Sequence, residues 1–209
     1  MRLRDISVTL AMGTPEWPGD TPYSCGWTAS ISDGSAVNLS IINTSPHVGT
    51  HADAPVHVRD GWPGAHELPL EAFHGPAVVI DVTNATGELS FADIEPAIAP
   101  YRLERLLLKT GSGIAGGTFP DEWPTLSESC ARTLLGLGLR LLGVDSPSVD
   151  AKESKSLAVH KMLFSGNAFI LENLDLRRIP PGPYELIAFP MKIMALDAAP
   201  VRAVLIDPE

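Results

Sequence analysis

Proline and glycine set the strongest limit on what this chain can fold into. Its 209 residues include 19 prolines and 18 glycines, which cut the hydrophobic residues into short runs. Proline removes a backbone donor and clashes with the preceding helical turn, and glycine weakens the interior of helix and strand alike. Long helices are excluded over most of such a sequence. Apolar runs survive between the breaks at residues 77–82, 106–108, 139–144, 168–171, 186–189 and 201–206. Their lengths and Gly/Pro flanks fit buried strands better than helices. Ile6, Val8 and Leu10 alternate with Ser7 and Thr9, and Val37, Leu39 and Ile41 alternate likewise, which is the period of half-exposed strands.

Helical signals lie between these runs. Ser90-x-x-Asp93 and Thr125-x-x-Glu128 each have the form of a capping box ahead of an apolar segment. Residues 154–164 space Leu157, His160, Lys161 and Phe164 at helical intervals. The pattern predicts a strand-rich α/β fold with helices inserted between sheet strands. Neither a repeat period nor a linker divides the chain, so residues 1–209 are expected to form a single domain.

With 44% hydrophobic residues the chain can bury a sizeable core, which excludes general disorder. Lys and Arg number 15 against 25 Asp and Glu, a net charge of −10, and no basic arm interrupts it. Duplex binding needs cations against phosphate, so nucleic acid is not an expected partner. No apolar run approaches the roughly 18 residues that span a bilayer, and residues 6–10 alternate where a signal peptide is continuously apolar. A cytoplasmic protein with no membrane partner is the expectation. Cys25 and Cys130 are too few for a disulfide scaffold and are expected to be reduced thiols.

Residues 13–26, 46–64 and 111–124 form long segments punctuated by Pro and Gly, and long loops in a folded domain tend to carry function. In the third, Gly111-Ser112-Gly113-Ile114-Ala115-Gly116 matches G-x-G-x-x-G. A dinucleotide site needs a helix to open there, and Gly117-Thr118-Phe119-Pro120 is loop chemistry. No serine occupies a G-x-S-x-G elbow, and neither cysteine has the context of an activated nucleophile.

The second segment is different. Of the histidines His47, His51, His57, His66, His74 and His160, three fall in the spacing His47-x-x-x-His51-x-Asp53-x-x-x-His57. Imidazole and carboxylate together suit Zn²⁺, and also Mn²⁺, Fe²⁺ or Co²⁺. Pro46, Gly49 and Pro55 argue against a continuous helix through these donors. A turn at Gly49 folds His47 back toward His51, and an extended segment puts His51 and Asp53 on one face. For His66 and His74 an ordinary surface or core role is preferred. Glu172, ending the run 168–171, is the natural further ligand, and His160 is either a ligand or a packed core histidine. Asp145 is a further strand-end acid, in place to orient a ligand.

At these residues the chain resembles the metal-dependent cyclase family and, within it, the bacterial kynurenine formamidases (arylformamidases). The likeness runs through Asp5-Ile6-Ser7, Trp17-Pro18-Gly19-Asp20-Thr21-Pro22 and the His47 to His57 loop. It continues through residues 143–150, Leu171-Glu172-Asn173-Leu174, residues 184–190 and the tail 196–205. It implies a swivelling β/β/α-type fold, a homodimer and a site with two divalent metal ions, zinc above all. Carried over by position, His47, His51 and Asp53 hold one metal, Asp53 and Glu172 bridge to a second, and His160 completes it. His57 becomes the general acid/base and Trp17 a substrate contact.

The implied reaction is hydrolysis of N-formyl-L-kynurenine to L-kynurenine and formate, with hydroxide on the metals as nucleophile. Metal binding lowers the pKa of water from about 15.7 to about 7, and two metals about 3.5–4 Å apart can also polarise the formyl carbonyl. An anilide anion leaves badly, so the departing nitrogen needs a proton. An imidazole, with an ordinary pKa of about 6.5, is suited to carry it. Trp17 offers an aromatic face for the aryl ring, and Trp62 either does the same or packs in the core. A related hydrolase acting on another amide or a cyclic amide is the alternative. A non-catalytic metal-binding module would leave His57 without a task.

Overall fold

Four of the apolar runs become the parallel centre of a nine-stranded sheet in the computed structural model, which describes residues 2–208. In chain order the first elements are β1 (Leu3–Asp5), β2 (Ser24–Ala29), β3 (Leu39–Asn43), β4 (His51–Asp53), β5 (His74–Asp81) and β6 (Glu88–Leu89). Then follow α1 (Phe91–Ile98), β7 (Arg105–Lys109), β8 (Thr125–Leu126), α2 (Glu128–Gly136) and β9 (Leu141–Val144). The last are α3 (Ala158–Ser165), β10 (Phe169–Glu172), β11 (Gly182–Ile187), β12 (Ala198–Pro200) and β13 (Val204–Ile206). The sheet order is β1-β13-β11-β5-β7-β9-β10-β4-β12, with β5, β7, β9 and β10 mutually parallel. Parallel neighbours need crossovers, and α1, α2 and α3 supply them.

Alternation along the central strands divides the core in two. Leu106 and Leu108 of β7 pack with the three helices, while Leu107 between them faces the opposite side. On that side the cluster is rich in small residues, with Ala52, Ala77, Ala188, Ala199 and Ala203 beside Ile6, Leu171 and Leu205. These come from both ends of the strand order, so the sheet must curl. The tail gives a second argument. β12 pairs with β4 at one end of the sheet and β13 with β1 near the other. Laid flat, seven strand spacings would separate them by about 34 Å, whereas the four residue-to-residue steps from Pro200 to Val204 reach at most about 14 Å. The strand-rich α/β expectation holds.

Local expectations hold less evenly. The alternation at residues 6–10 is not a strand: β1 ends at Asp5, and Ile6 is wholly buried. There Val8 N donates to Thr50 Oγ1 instead of to a neighbouring strand. The run 201–206 is interrupted at residues 202–203, where Ala203 N donates to Ser7 Oγ and the chain crosses between sheet ends. Thr125 is not a cap. It belongs to β8, and Ser127 caps α2 by accepting from Cys130 N. α3 begins at Ala158, later than the spacing from residue 154 suggests, because Leu157 adopts a left-handed φ of 48°. β2 and β3 form a separate hairpin whose residues are largely exposed on both faces.

Candidate metal centre

The site grows from the pairing of β4 with β10, in which His51 lies opposite Glu172 and Asp53 opposite Ile170. His51 and Asp53, two residues apart on a strand, share a face, and both are buried. Glu172 closes β10 at the carboxyl end of the parallel strands, where α/β sheets place their ligands. Gly49, at a φ of 75°, turns the chain so that His47 Nδ1 comes within 3.1 Å of His51 Nε2. A Cβ at position 49 would stand 2.5 Å from Leu10 Cδ2, so a side chain there meets both strain and a clash. His160 arrives from the first turn of α3. That turn is capped from outside by Asp150, which accepts from Val159 N at 3.2 Å and His160 N at 3.0 Å.

Each of these rings spends one nitrogen on an oxygen and turns the other inward. His51 Nδ1 donates to Gly49 O at 2.9 Å, His160 Nδ1 to Asp150 Oδ2 at 2.6 Å and His47 Nε2 to Asp197 Oδ2 at 3.0 Å. On the inner side, Asp53 Oδ1 is 3.2 Å from both His47 Nδ1 and His51 Nε2. Its other oxygen, Oδ2, is 3.2 Å from His160 Nε2. Glu172 divides itself in the same way, with Oε2 3.6 Å from His51 Nε2 and Oε1 3.3 Å from His160 Nε2. Donors about 2.1 Å from a common cation at tetrahedral angles stand about 3.4 Å apart, the spacing seen here. Asp53 Oδ1 is buried without a hydrogen-bond partner among the described residues. An orphaned carboxylate oxygen amid converging lone pairs fits a divalent cation. His47, Asp53 and His57 form one set of closely spaced donor atoms, and His51, Asp53 and Glu172 another.

Without a cation, protons take its place. Burial pulls His47 down, but the hydrogen bond to Asp197 and the nearby Asp53 carboxylate outweigh it and hold its pKa up to about 10. His160 is likewise driven well above the ordinary range against its burial, by Asp150, Asp53 and Glu172. Asp53, wholly buried, is nevertheless held well below the usual carboxylate range by His160, His47 and His51.

His47, His51, His57, His160 and Glu172 line a cavity of about 340 Å³. Trp17 and Phe119 line it too, their rings packed edge-on at 5.6 Å, and Trp123 also meets Trp17 edge-on at 6.0 Å. His57 donates Nδ1–H to Asp197 Oδ2 at 3.1 Å. All seven residues singled out in the sequence thus converge, across up to 155 positions of chain. Asp145 does not join them. It accepts from Thr110 N, Thr110 Oγ1 and Gly111 N at 2.8, 2.5 and 3.0 Å, tying the loop after β7 to the end of β9. Trp62 lies under the Arg59 guanidinium at 5.0 Å and packs against the helix-side core, away from the cavity lining. His66 and His74 stand beside Glu67 and Glu185, outside the cluster. Two acids escaped the residue-by-residue reading, Asp150 and Asp197. Each is an unremarkable aspartate until the fold sets it against a histidine.

Comparison with known proteins agrees with this geometry. The family described as "Putative cyclase" matches residues 4–151. A kynurenine formamidase of Bordetella avium (strain 197N) is 41% identical over 204 residues, covering 98% of this chain and 97% of that protein. The solved structure of a potential metal-dependent hydrolase with cyclase activity superposes with a TM-score of 0.83 at 28% identity, covering 100% of this chain and 98% of the other. Isatin hydrolase A from Labrenzia aggregata, bound to benzyl benzoate, gives a TM-score of 0.82 at 25% identity, covering 98% and 93%. With its sequence matched over nearly its whole length and its donors assembled in one cavity, this chain belongs to the cyclase family, in the group of the kynurenine formamidases.

Proposed function

We propose that the chain is an arylformamidase that hydrolyses N-formyl-L-kynurenine to L-kynurenine and formate. The observation that carries this reading is the buried cage of three imidazoles and two carboxylates beside an aromatic wall, in a chain 41% identical to a kynurenine formamidase. His47, His51 and Asp53 would hold one divalent cation, and His160 a second, with Asp53 and Glu172 shared between them; the N/O donor set suits zinc. The divided carboxylates, each turning one oxygen to either side, support two ions. Cations held there supply positive charge that polarises the formyl carbonyl and lowers the pKa of water toward about 7.

The chain's own groups do the rest. His57 takes the proton of the attacking water on Nε2 and returns it to the aniline nitrogen as the C–N bond breaks, releasing formate and the free amine. Trp17 and Phe119 offer the aryl ring a flat apolar face and keep water from it. Residues 1–209 act as one catalytic domain in a homodimer. The β2–β3 hairpin supports the second copy, since Trp27, Leu39, Ile41 and Ile42 are all exposed on it. The reaction belongs to tryptophan degradation in the cytoplasm, with the small-molecule substrate and the second copy as partners. No helix among the described residues is long and apolar enough to cross a membrane.

Formate release from N-formylkynurenine should be lost on chelation and return with added zinc. His57→Ala should keep its zinc and lose about 10²–10⁴-fold in turnover. Near-normal turnover in that variant would remove His57 from the mechanism. A second reading, hydrolysis of a cyclic amide, draws on the likeness to isatin hydrolase A. Parallel assays on formanilides and cyclic amides separate the two.

A further inference from the structure

Asp197 lies in neither the histidine loop nor the cavity wall, yet it touches two of the site's rings. Its placement follows from the sheet. β12 pairs with β4 so that Ala198 faces Asp53. Asp197 therefore falls beside Ala54, whose N–H donates to its carbonyl at 2.8 Å. His57 follows in the tight turn Pro55–His57, and its N–H donates to Ala54 O at 2.9 Å. The carboxylate is thus tied through two backbone bonds to the turn that carries His57.

One oxygen serves both rings. Asp197 Oδ2 is 3.0 Å from His47 Nε2 and 3.1 Å from His57 Nδ1. An ionised carboxylate only accepts, so both nitrogens must carry hydrogen. A neutral imidazole has a single N–H. His47 is then left with a bare Nδ1, the atom that faces His51 and Asp53. His57 is left with a bare Nε2, as a proton acceptor requires. In the opposite tautomers His47 could not ligate through Nδ1 and His57 could not take a proton at Nε2.

We propose that Asp197 is a positioning residue which, through the single atom Oδ2, sets the tautomers of the His47 ligand and the His57 base together. It touches neither substrate nor cation. The proposal rests on the roles given to those two rings above. It couples metal binding to catalysis: loosening either ring disturbs the other through the shared oxygen.

Nitrogen-15 histidine spectra of the zinc-loaded protein, read through long-range proton–nitrogen correlations, test it directly. His57 should show a protonated Nδ1 and an unprotonated Nε2, and His47 a protonated Nε2. In Asp197→Ala the His57 signals should move to a tautomer mixture, and zinc affinity should fall about 10–100-fold. Turnover should fall about 10²-fold or more with KM little changed. Asp197→Asn keeps an acceptor oxygen and should restore much of both. A wild-type His57 protonated on Nε2 would overturn the proposal, and so would unchanged spectra and turnover in Asp197→Ala. The wild-type spectrum decides even if the alanine variant does not fold. Absence of formamidase activity in the wild type would instead strike the functional reading, leaving the tautomers to be judged by the spectra.

Discussion

Asp53 is wholly buried and stands within 3.2 Å of three imidazoles. A carboxylate taken wholly out of water is costly unless charge or hydrogen bonds compensate it. Compensation comes from three histidines, each fixed by its own outer partner. His160→Ala leaves Asp53, Asp150 and Glu172 facing one another without their shared imidazole. The metal-free variant should lose about 3–5 kcal/mol, measured by urea denaturation at neutral pH. Gly49 is the second critical residue. With a left-handed φ and Leu10 in the path of any Cβ, Gly49→Ala should cost more than about 1 kcal/mol and weaken zinc binding by moving His47. Thermal denaturation and a zinc titration check both effects. The histidine spacing was readable because donors close in sequence need only one bend to meet. Asp197 was not, since its partners lie 140 and 150 residues away.

At the scale of elements, α3 shows how one side chain serves fold and site together. Asp150 supplies the cap that the left-handed Leu157 does not, and its Oδ2 also fixes the His160 ring. Asp150→Ala should cost about 1 kcal/mol in stability and a further 10–100-fold in metal affinity. A loss of stability with unchanged affinity would separate the two roles. The β2–β3 hairpin makes the opposite case, an element with no core of its own. Its alternation was legible, but alternation normally means one buried face, and here both are open. If the proposed dimer forms through this hairpin, Trp27→Ser combined with Ile41→Ser should convert it to monomer in analytical ultracentrifugation without unfolding the sheet. A dimer unaffected by the double change would place the interface elsewhere.

Across the whole molecule, protons hold the cage that the proposed cations would occupy, and the sign of the pH dependence follows. His47 is raised from 6.5 to about 10, so its contribution to metal-free stability is full below pH 6.5 and lost as pH rises toward 10. His160 acts in the same direction. Asp53 is lowered from 3.8, so its contribution is present above that value and lost on acidification. The metal-free protein should therefore be most stable between about pH 4 and 6.5 and weaken on either side. Thermal denaturation after chelation, across pH 3 to 10, measures this. If zinc binds His47 as proposed, it must displace that ring's proton, so binding at pH 7 should release protons, visible as a buffer-dependent enthalpy in calorimetry. Binding with no proton release would mean that His47 is not a ligand.

From its sequence alone the chain determined short buried strands, the helices between them and a histidine loop able to bend onto itself. Each of these depends on neighbours within a few residues, where backbone sterics and side-chain period leave few choices. The curl of the sheet, the division of the core, the exposure of the hairpin and the partners of Asp145, Asp150 and Asp197 were decided only by tertiary structure. An aspartate has the same local preferences whether it will cap a helix, tie a loop or hold two imidazoles. Only the strand pairings that bring β4, β10 and β12 together give each one its neighbour.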